Sequence, residues 1–344
     1  MSIIHPVKIR GLLIPSNVFF APINPGYASA GVFSKQYSNF FLQYSGKRIG
    51  ICYIGNVALQ SDWCSNKNTT VLYHNTESAW ESLVKNISCL GSVPGIQLAW
   101  KPKNIEMQQT FLAKDIWHQV KLYKDFYVGF CDFESVVNQF IEDIAYCAKL
   151  GFSVIQIHAA HGYALSLLLS KTISGCNDPE NTKGARLLQA ISAALADRNF
   201  ILDIRVSLFE GLCEREEELE YKMKLFRFLK KCGFDMISLS NGFYNIDKTM
   251  IYPPKKDGAV LFQEVQAICH NFPDIMWNLA GNMECVLTSQ VDCPSNLTFS
   301  LGRQLLVDAA SVAKMEKGEP IIPCVECNRC HYYSFGLDGI QSCI

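Results

Sequence analysis

Phe152-Ser153-Val154-Ile155-Gln156-Ile157-His158-Ala159-Ala160-His161-Gly162-Tyr163 is an apolar, β-branched run that ends abruptly in two imidazoles, a glycine and a phenol. Upstream, from Glu134 to Leu150, apolar side chains recur every three or four positions, and Gly151 separates the two patterns. A helix that delivers the chain into a short buried strand, whose exit turns polar, is one unit of an alternating α/β fold. The same alternation recurs along the chain. Strand candidates fall at 18–23, 50–58, 94–99, 152–158, 200–207, 236–241, 275–280 and 297–301, with helical segments such as Lys183 to Leu195 and Arg215 to Cys232 between them.

Strands that alternate with helices must be parallel, and both a closed barrel and an open doubly wound sheet meet that condition. A count of eight favours the closed (β/α)8 TIM barrel. So does Asn24-Pro25-Gly26 after the first strand, where a dinucleotide-binding open sheet carries G-x-G-x-x-G. The expectation is an α/β TIM barrel over 1–317 and a short C-terminal cysteine-rich extension over 318–344 packed on it, divided near Lys317-Gly318-Glu319-Pro320.

Composition narrows the function. Of 344 residues, 49% are hydrophobic and 18% charged, which supplies a sizeable core and none of the signature of disorder. With 31 basic and 32 acidic side chains the net charge is −1, and clusters such as Lys101-Pro102-Lys103 or Lys255-Lys256 are too short for a nucleic-acid stripe. Met1-Ser2-Ile3-Ile4-His5-Pro6 has no basic segment leading into an apolar run, and no stretch has the length of a membrane span. A cytoplasmic protein is expected. Its 15 cysteines, most of them scattered through apolar or helical contexts, are then read as reduced thiols, with any tight cluster binding metal.

In a barrel, functional side chains sit where strands end and loops begin. At the fourth exit, His158 and His161 can donate hydrogen bonds to an oxyanion and Tyr163 can donate a proton. Two imidazoles are also a partial zinc site, which would need further ligands from elsewhere. In the fifth strand Arg205 lies within an apolar run, where it is either paired internally with Asp203 or Glu210 or turned toward an anionic ligand. Leu279-Ala280-Gly281-Asn282 and Ser300-Leu301-Gly302-Arg303 close the last two strands with glycine, a pattern suited to a phosphate held on backbone N–H groups.

The tail carries Cys324, Cys327, Cys330 and Cys343 in the spacing C-x2-C-x2-C-x12-C. Three thiolates at every third position wrap one corner of an iron–sulfur cubane and a later one completes it. Zinc and uncommitted thiols are the alternatives.

Taken together, these motifs resemble the Old Yellow Enzyme family of FMN-dependent oxidoreductases over nearly the whole chain. The iron–sulfur branch, which includes trimethylamine dehydrogenase and 2,4-dienoyl-CoA reductase, is the most similar. The tail spacing is similar to that of trimethylamine dehydrogenase, His158-Ala159-Ala160-His161-Gly162-Tyr163 matches the family's strand-four signature, and Gly302-Arg303-x-Leu305-Leu306-x-Asp308 matches its last strand and following helix. The resemblance implies that Ala21, Pro22, Ile23, Gly55 and Asn56 line FMN, that Gln97 and Arg205 meet its pyrimidine edge, and that Gly281, Asn282, Gly302 and Arg303 hold its phosphate. It further implies that His158 and His161 grip a substrate oxygen, that Tyr163 is the proton donor, and that the four tail cysteines hold a 4Fe-4S cluster.

Two stretches depart from the family. Trp100-Lys101-Pro102-Lys103 stands where H-x-G-R is usual, and is expected to alter one wall of the site. Lys171 to Pro179 is shorter than the usual loop and lacks its motif, and is expected to reshape the substrate mouth. The expected activity is reduction of a small-molecule acceptor, such as an activated alkene, with electrons from NAD(P)H or a separate redox protein. An electron-relay barrel without ene-reduction and a zinc-dependent hydrolase are the rival readings, and a homo-oligomer is compatible with all three.

Overall fold

Eight strands carry the fold: β1 (Val18–Ile23), β2 (Ile51–Ala58), β3 (Val93–Ala99), β4 (Val154–Ala159), β5 (Ile201–Ser207), β6 (Met236–Ser240), β7 (Met276–Ala280) and β8 (Leu297–Leu301). Each pairs in parallel with the next, and β8 pairs with β1, so the sheet closes on itself in chain order. This is the expected (β/α)8 barrel, and every strand bound falls within two residues of its sequence-based position. The computed structural model describes residues 3–289, 291–341 and 343. Met1, Ser2 and Ile344, the outermost residues of the expected 1–317 and 318–344 units, lie outside them.

Helices return the chain along the outside. Phe133–Lys149 leads into β4, Lys183–Ala194 into β5 and Arg215–Lys231 into β6. Local chemistry starts them where the periodicity says they start: Thr182 Oγ1 accepts from the Ala185 N–H at 3.1 Å, filling one of the open donors at the helix N-terminus. Glu216, Glu217 and Glu218 in the first turn of Arg215–Lys231, with Lys230 and Lys231 in the last, oppose its dipole. No helix among the described residues is long and apolar enough to cross a membrane.

An antiparallel hairpin, Val7–Ile9 with Leu12–Ile14, precedes the barrel and was not legible in the periodicity, because each arm is only three residues long. Arg10 (φ 45°) and Gly11 (φ 83°) form its two-residue turn, with the paired positive φ angles of a tight hairpin. Val7, Ile9 and Ile14 pack on Phe19, Ile51, Val154, Ile201 and Met236, residues at the N-terminal ends of β1, β2, β4, β5 and β6. At about 1.5–3 kcal/mol for each large apolar side chain buried, the hairpin is a firm seal over that end.

Higher in the barrel the interior is polar. Tyr53, Gln97, Gln156, Asp203, Ser238, Asn278 and Ser300, from β2 to β8, are all buried. Such a layer is stable only when its donors and acceptors find one another. Here they do: Gln97 donates to Gln156, Gln156 and Tyr53 to Asp203, and Asn278 to Ser238 and Ser300.

Candidate active site

Above this layer, at the C-terminal strand ends, opens a cavity with about 1300 Å³ of empty space including its mouth. The fourth exit shapes one side of it. His161 (φ 62°) and Gly162 (φ 81°) turn the chain sharply in the left-handed region, which Gly162 adopts without strain. The His161 N–H donates to Ser207 Oγ at 3.0 Å and its carbonyl accepts from the Tyr244 N–H at 3.0 Å, so the strained residue is held from both sides. Its Nε2 lies 2.7 Å from Ser240 Oγ.

The His158 and Tyr163 rings are 4.2 Å apart between centroids, and the His158 and His161 rings 5.4 Å apart and nearly perpendicular. Burial, reinforced by the Arg205 charge, holds both imidazoles well below their usual pKa, so they are neutral hydrogen-bonding groups at physiological pH. His158 Nδ1 is buried with no partner, a polar atom left for a ligand. Asn56 Nδ2 donates to Tyr163 Oη at 2.8 Å, and burial pushes the phenol up to about 12, so its proton stays in place.

Arg205 faces the same cavity. Its Nε donates to Ser240 Oγ at 3.2 Å, and the residue lines the cavity. Neither expected internal partner pairs with it. Asp203 is occupied by Tyr53, Gln156 and Ser238, and Glu210 by Lys222 at 2.5 Å and by Ser170. Burial lowers the Arg205 pKa while Asp203 raises it. A buried cation without a carboxylate at ion-pair distance is costly and is relieved by an anionic ligand.

Ala21, Pro22 and Ile23 at the end of β1, Asn56, Gln97, Gly281, Asn282, Gly302 and Arg303 line the same cavity, with Gly302 beside Ala21 and Ile23. Gly55 does not line it. A Cβ there would stand 2.9 Å from Gln97 Cβ, so Gly55 lets β2 and β3 approach. The Asn282 side chain donates to Pro253 O and Glu326 Oε1, and Arg303 to Pro253 O and Asn328 Oδ1. Those side chains therefore tie the tail to the barrel, and backbone N–H groups are what this corner offers an anion.

Several lining residues escaped the sequence reading: Tyr244 and Tyr252 after β6, Met107 after β3, and His331, Tyr332 and Tyr333 in the tail. The position of His331 directly after Cys330 was the one available signal. The structure corrects the expected effect of Trp100 and Lys101. Trp100 packs on Trp63, Phe126 and Phe130, and Lys101 donates to the Pro102 and Ile105 carbonyls, so neither forms a wall of the cavity. Residues 171–179 do not line it either; Lys171 pairs with Glu217 instead.

In the tail, Cys327, Cys330 and Cys343 border a second cavity beside Tyr27 and Tyr44, and the buried Cys324 accepts from the Glu326 N–H at 3.4 Å. Burial pushes Cys330 up to about 11 against the downward pull of Arg303, with smaller upward contributions from Cys324, Cys343 and Cys327. Among the described residues no three His, Cys, Asp or Glu side chains stand at metal-binding distances, neither around the two active-site imidazoles nor among the tail cysteines.

No family model matches the chain. It is similar to an NADH-dependent flavin oxidoreductase of Hypocrea jecorina, 19% identical over 81% of this chain and 80% of that protein. An NADPH dehydrogenase of Bacillus pumilus is 21% identical over 70% of this chain and 73% of that one. Among solved structures, a 2-naphthoyl-CoA reductase in complex with 2-naphthoyl-CoA superposes with a TM-score of 0.76 at 15% identity over 98% of this chain; the chain spans 56% of that one. Old Yellow Enzyme from Pichia sp. AKU4542 superposes with a TM-score of 0.66 at 14% identity, over 93% of this chain and 88% of that one. These likenesses establish the barrel fold.

Proposed function

We propose that this chain is an NAD(P)H-dependent flavin oxidoreductase that holds FMN at the C-terminal mouth of its barrel and reduces a small acceptor such as an activated alkene. The observation that carries this reading is the convergence of Gln97, His158, His161, Tyr163 and an unpaired Arg205 on one cavity. The names of the curated relatives support the same class of chemistry.

The residues present fit FMN. Ala21, Pro22, Ile23, Asn56, Gln97 and Arg205 would hold its ring system, and the backbone around Gly281, Asn282, Gly302 and Arg303 its phosphate. When bound, FMN supplies hydride acceptance and delivery. The chain supplies the rest. Arg205 keeps a fixed positive charge at the cavity floor, where low polarity magnifies its effect. Neutral His158 and His161 donate hydrogen bonds to a carbonyl or nitro oxygen, and Tyr163 Oη delivers a proton to the reduced acceptor.

Cys324, Cys327, Cys330 and Cys343 would hold a 4Fe-4S cluster, which supplies one-electron exchange with a separate redox protein. The four-thiol donor set, the cavity bordered by Cys327, Cys330 and Cys343, and the N–H···S contact at Cys324 support that assignment.

Anaerobically purified protein is expected to show flavin absorption that bleaches with NADH or NADPH and returns on adding an enone, with about four iron atoms per chain. Colourless protein that binds no added FMN would overturn the flavin reading. Iron at well under about one atom per chain would leave the tail as thiols or a zinc site.

A further inference from the structure

The hydrogen bonds beneath the cavity floor are complete enough to assign which way round its amides lie. Tyr53 Oη donates to Asp203 Oδ2 at 2.7 Å, Ser238 Oγ lies 3.0 and 2.9 Å from the two carboxylate oxygens, and Gln156 Nε2 also donates to Oδ2. A carboxylate only accepts, so the single Ser238 hydroxyl hydrogen is committed to Asp203. Ser238 Oγ must then accept from Gln156 Nε2 at 3.0 Å and from Asn278 Nδ2 at 3.1 Å. Both hydrogens on Gln156 Nε2 are thereby placed, and its Oε1 has to face the opposite way. There it accepts from Gln97 Nε2 at 2.6 Å. The reverse orientation of Gln156 would set its carbonyl against a buried carboxylate.

We propose that Asp203 is a positioning residue that acts through Gln156 to hold Gln97 with its amide nitrogen turned into the barrel and its carbonyl oxygen offered to the ligand. Resting on the FMN reading above, this names the atom recognised: the imide N3–H, the hydrogen-bond donor on the flavin's pyrimidine edge, is taken by Gln97 Oε1 while Arg205 meets an adjacent carbonyl oxygen. Asp203 never touches the ligand. It decides the polarity of the residue that does. With asparagine at position 203, an amide nitrogen can face Gln156, which is then free to turn over and to release Gln97 to the opposite orientation.

The experiment compares binding of FMN and 3-methyl-FMN, in which a methyl group replaces the N3 hydrogen, by quenching of flavin fluorescence on apoprotein. Wild-type protein is expected to prefer FMN by about tenfold. Asp203→Asn, and Gln156→Met, which cuts the relay with the carboxylate still in place, should each narrow that preference to under about threefold. Thermal unfolding identifies which variants are folded, and either one alone decides. A folded variant that keeps the wild-type preference overturns the role of Asp203, as does equal weakening of both flavins, the mark of a generally loosened floor. Wild-type protein that binds neither flavin overturns the functional reading itself, a different outcome from a preference that persists in the variants.

Discussion

The floor of the cavity is carried on strands and rests on polar side chains that satisfy one another, whereas its roof is carried on loops and the tail and built from aromatic rings around the buried Lys248. Gln97, Gln156, Asp203 and Ser238 on the floor are fixed by the parallel ladder of β3 to β6. In the roof, Tyr244, Tyr252, Tyr332 and Tyr333 have no such lattice. Lys248 takes its place, donating to the Gln108 carbonyl at 2.5 Å, to Gln109 O at 3.2 Å and to Ser334 Oγ at 2.6 Å. One region is rigid because its backbone is paired, the other because one ammonium gathers three segments. Chemistry that needs fixed charge should therefore respond to the floor, and integrity of the enclosure to the roof.

The largest expected effect is at the boundary between them. Tyr163→Phe keeps the ring against His158 but removes the proton, and should slow acceptor reduction by about 100- to 10,000-fold while leaving flavin reduction intact. Stopped-flow measurement of the two half-reactions checks this, and an unchanged oxidative rate would remove Tyr163 from the chemistry. Next, Arg205→Met deletes the floor's unpaired cation. FMN affinity should drop by about 100-fold in fluorescence titration, while unfolding free energy stays level or rises by about 1 kcal/mol as a buried charge is lost. A variant that loses stability but keeps affinity would contradict the division drawn here.

In the roof, Lys248→Met strands the Gln108 and Gln109 carbonyls and should lower stability by about 2–3 kcal/mol in denaturant unfolding, or expose the tail near Ser334 to protease. The smallest effect is a slope. His158 and His161 in the folded protein stay neutral well below 6.5, whereas in the unfolded chain they protonate near that value. The unfolded state thus binds more protons as pH falls below 6.5, and stability falls with it, by at most about 1.4 kcal/mol per pH unit for each imidazole. Replacing both by asparagine should flatten unfolding free energy between pH 6.5 and 5.5; an unaltered slope would mean that the pair is already charged.

The same division explains what could be read without coordinates. The strands were legible because most are β-branched or aromatic runs bounded by turn residues, and residues such as His158 and Arg205 follow from strand position and the period of two. The structure still corrected their partners. Asp203 was a candidate to neutralise Arg205, yet cross-strand neighbours at positions 53, 156 and 238 claim it, and register is not visible in a single sequence. Roof residues were missed for a deeper reason. Tyr252 and Tyr333 come together only through tertiary packing of segments with no periodicity, and Trp100, which looked like a wall of the site, found apolar company among Trp63, Phe126 and Phe130 instead.

The hairpin at Val7–Ile14 has a consequence for traffic. With Val7, Ile9 and Ile14 capping the lower end of the cylinder and the packed polar layer filling its middle, the cavity opens at the upper rim. Under the function proposed above, a reductant and an oxidant would share that one entrance and take turns at it.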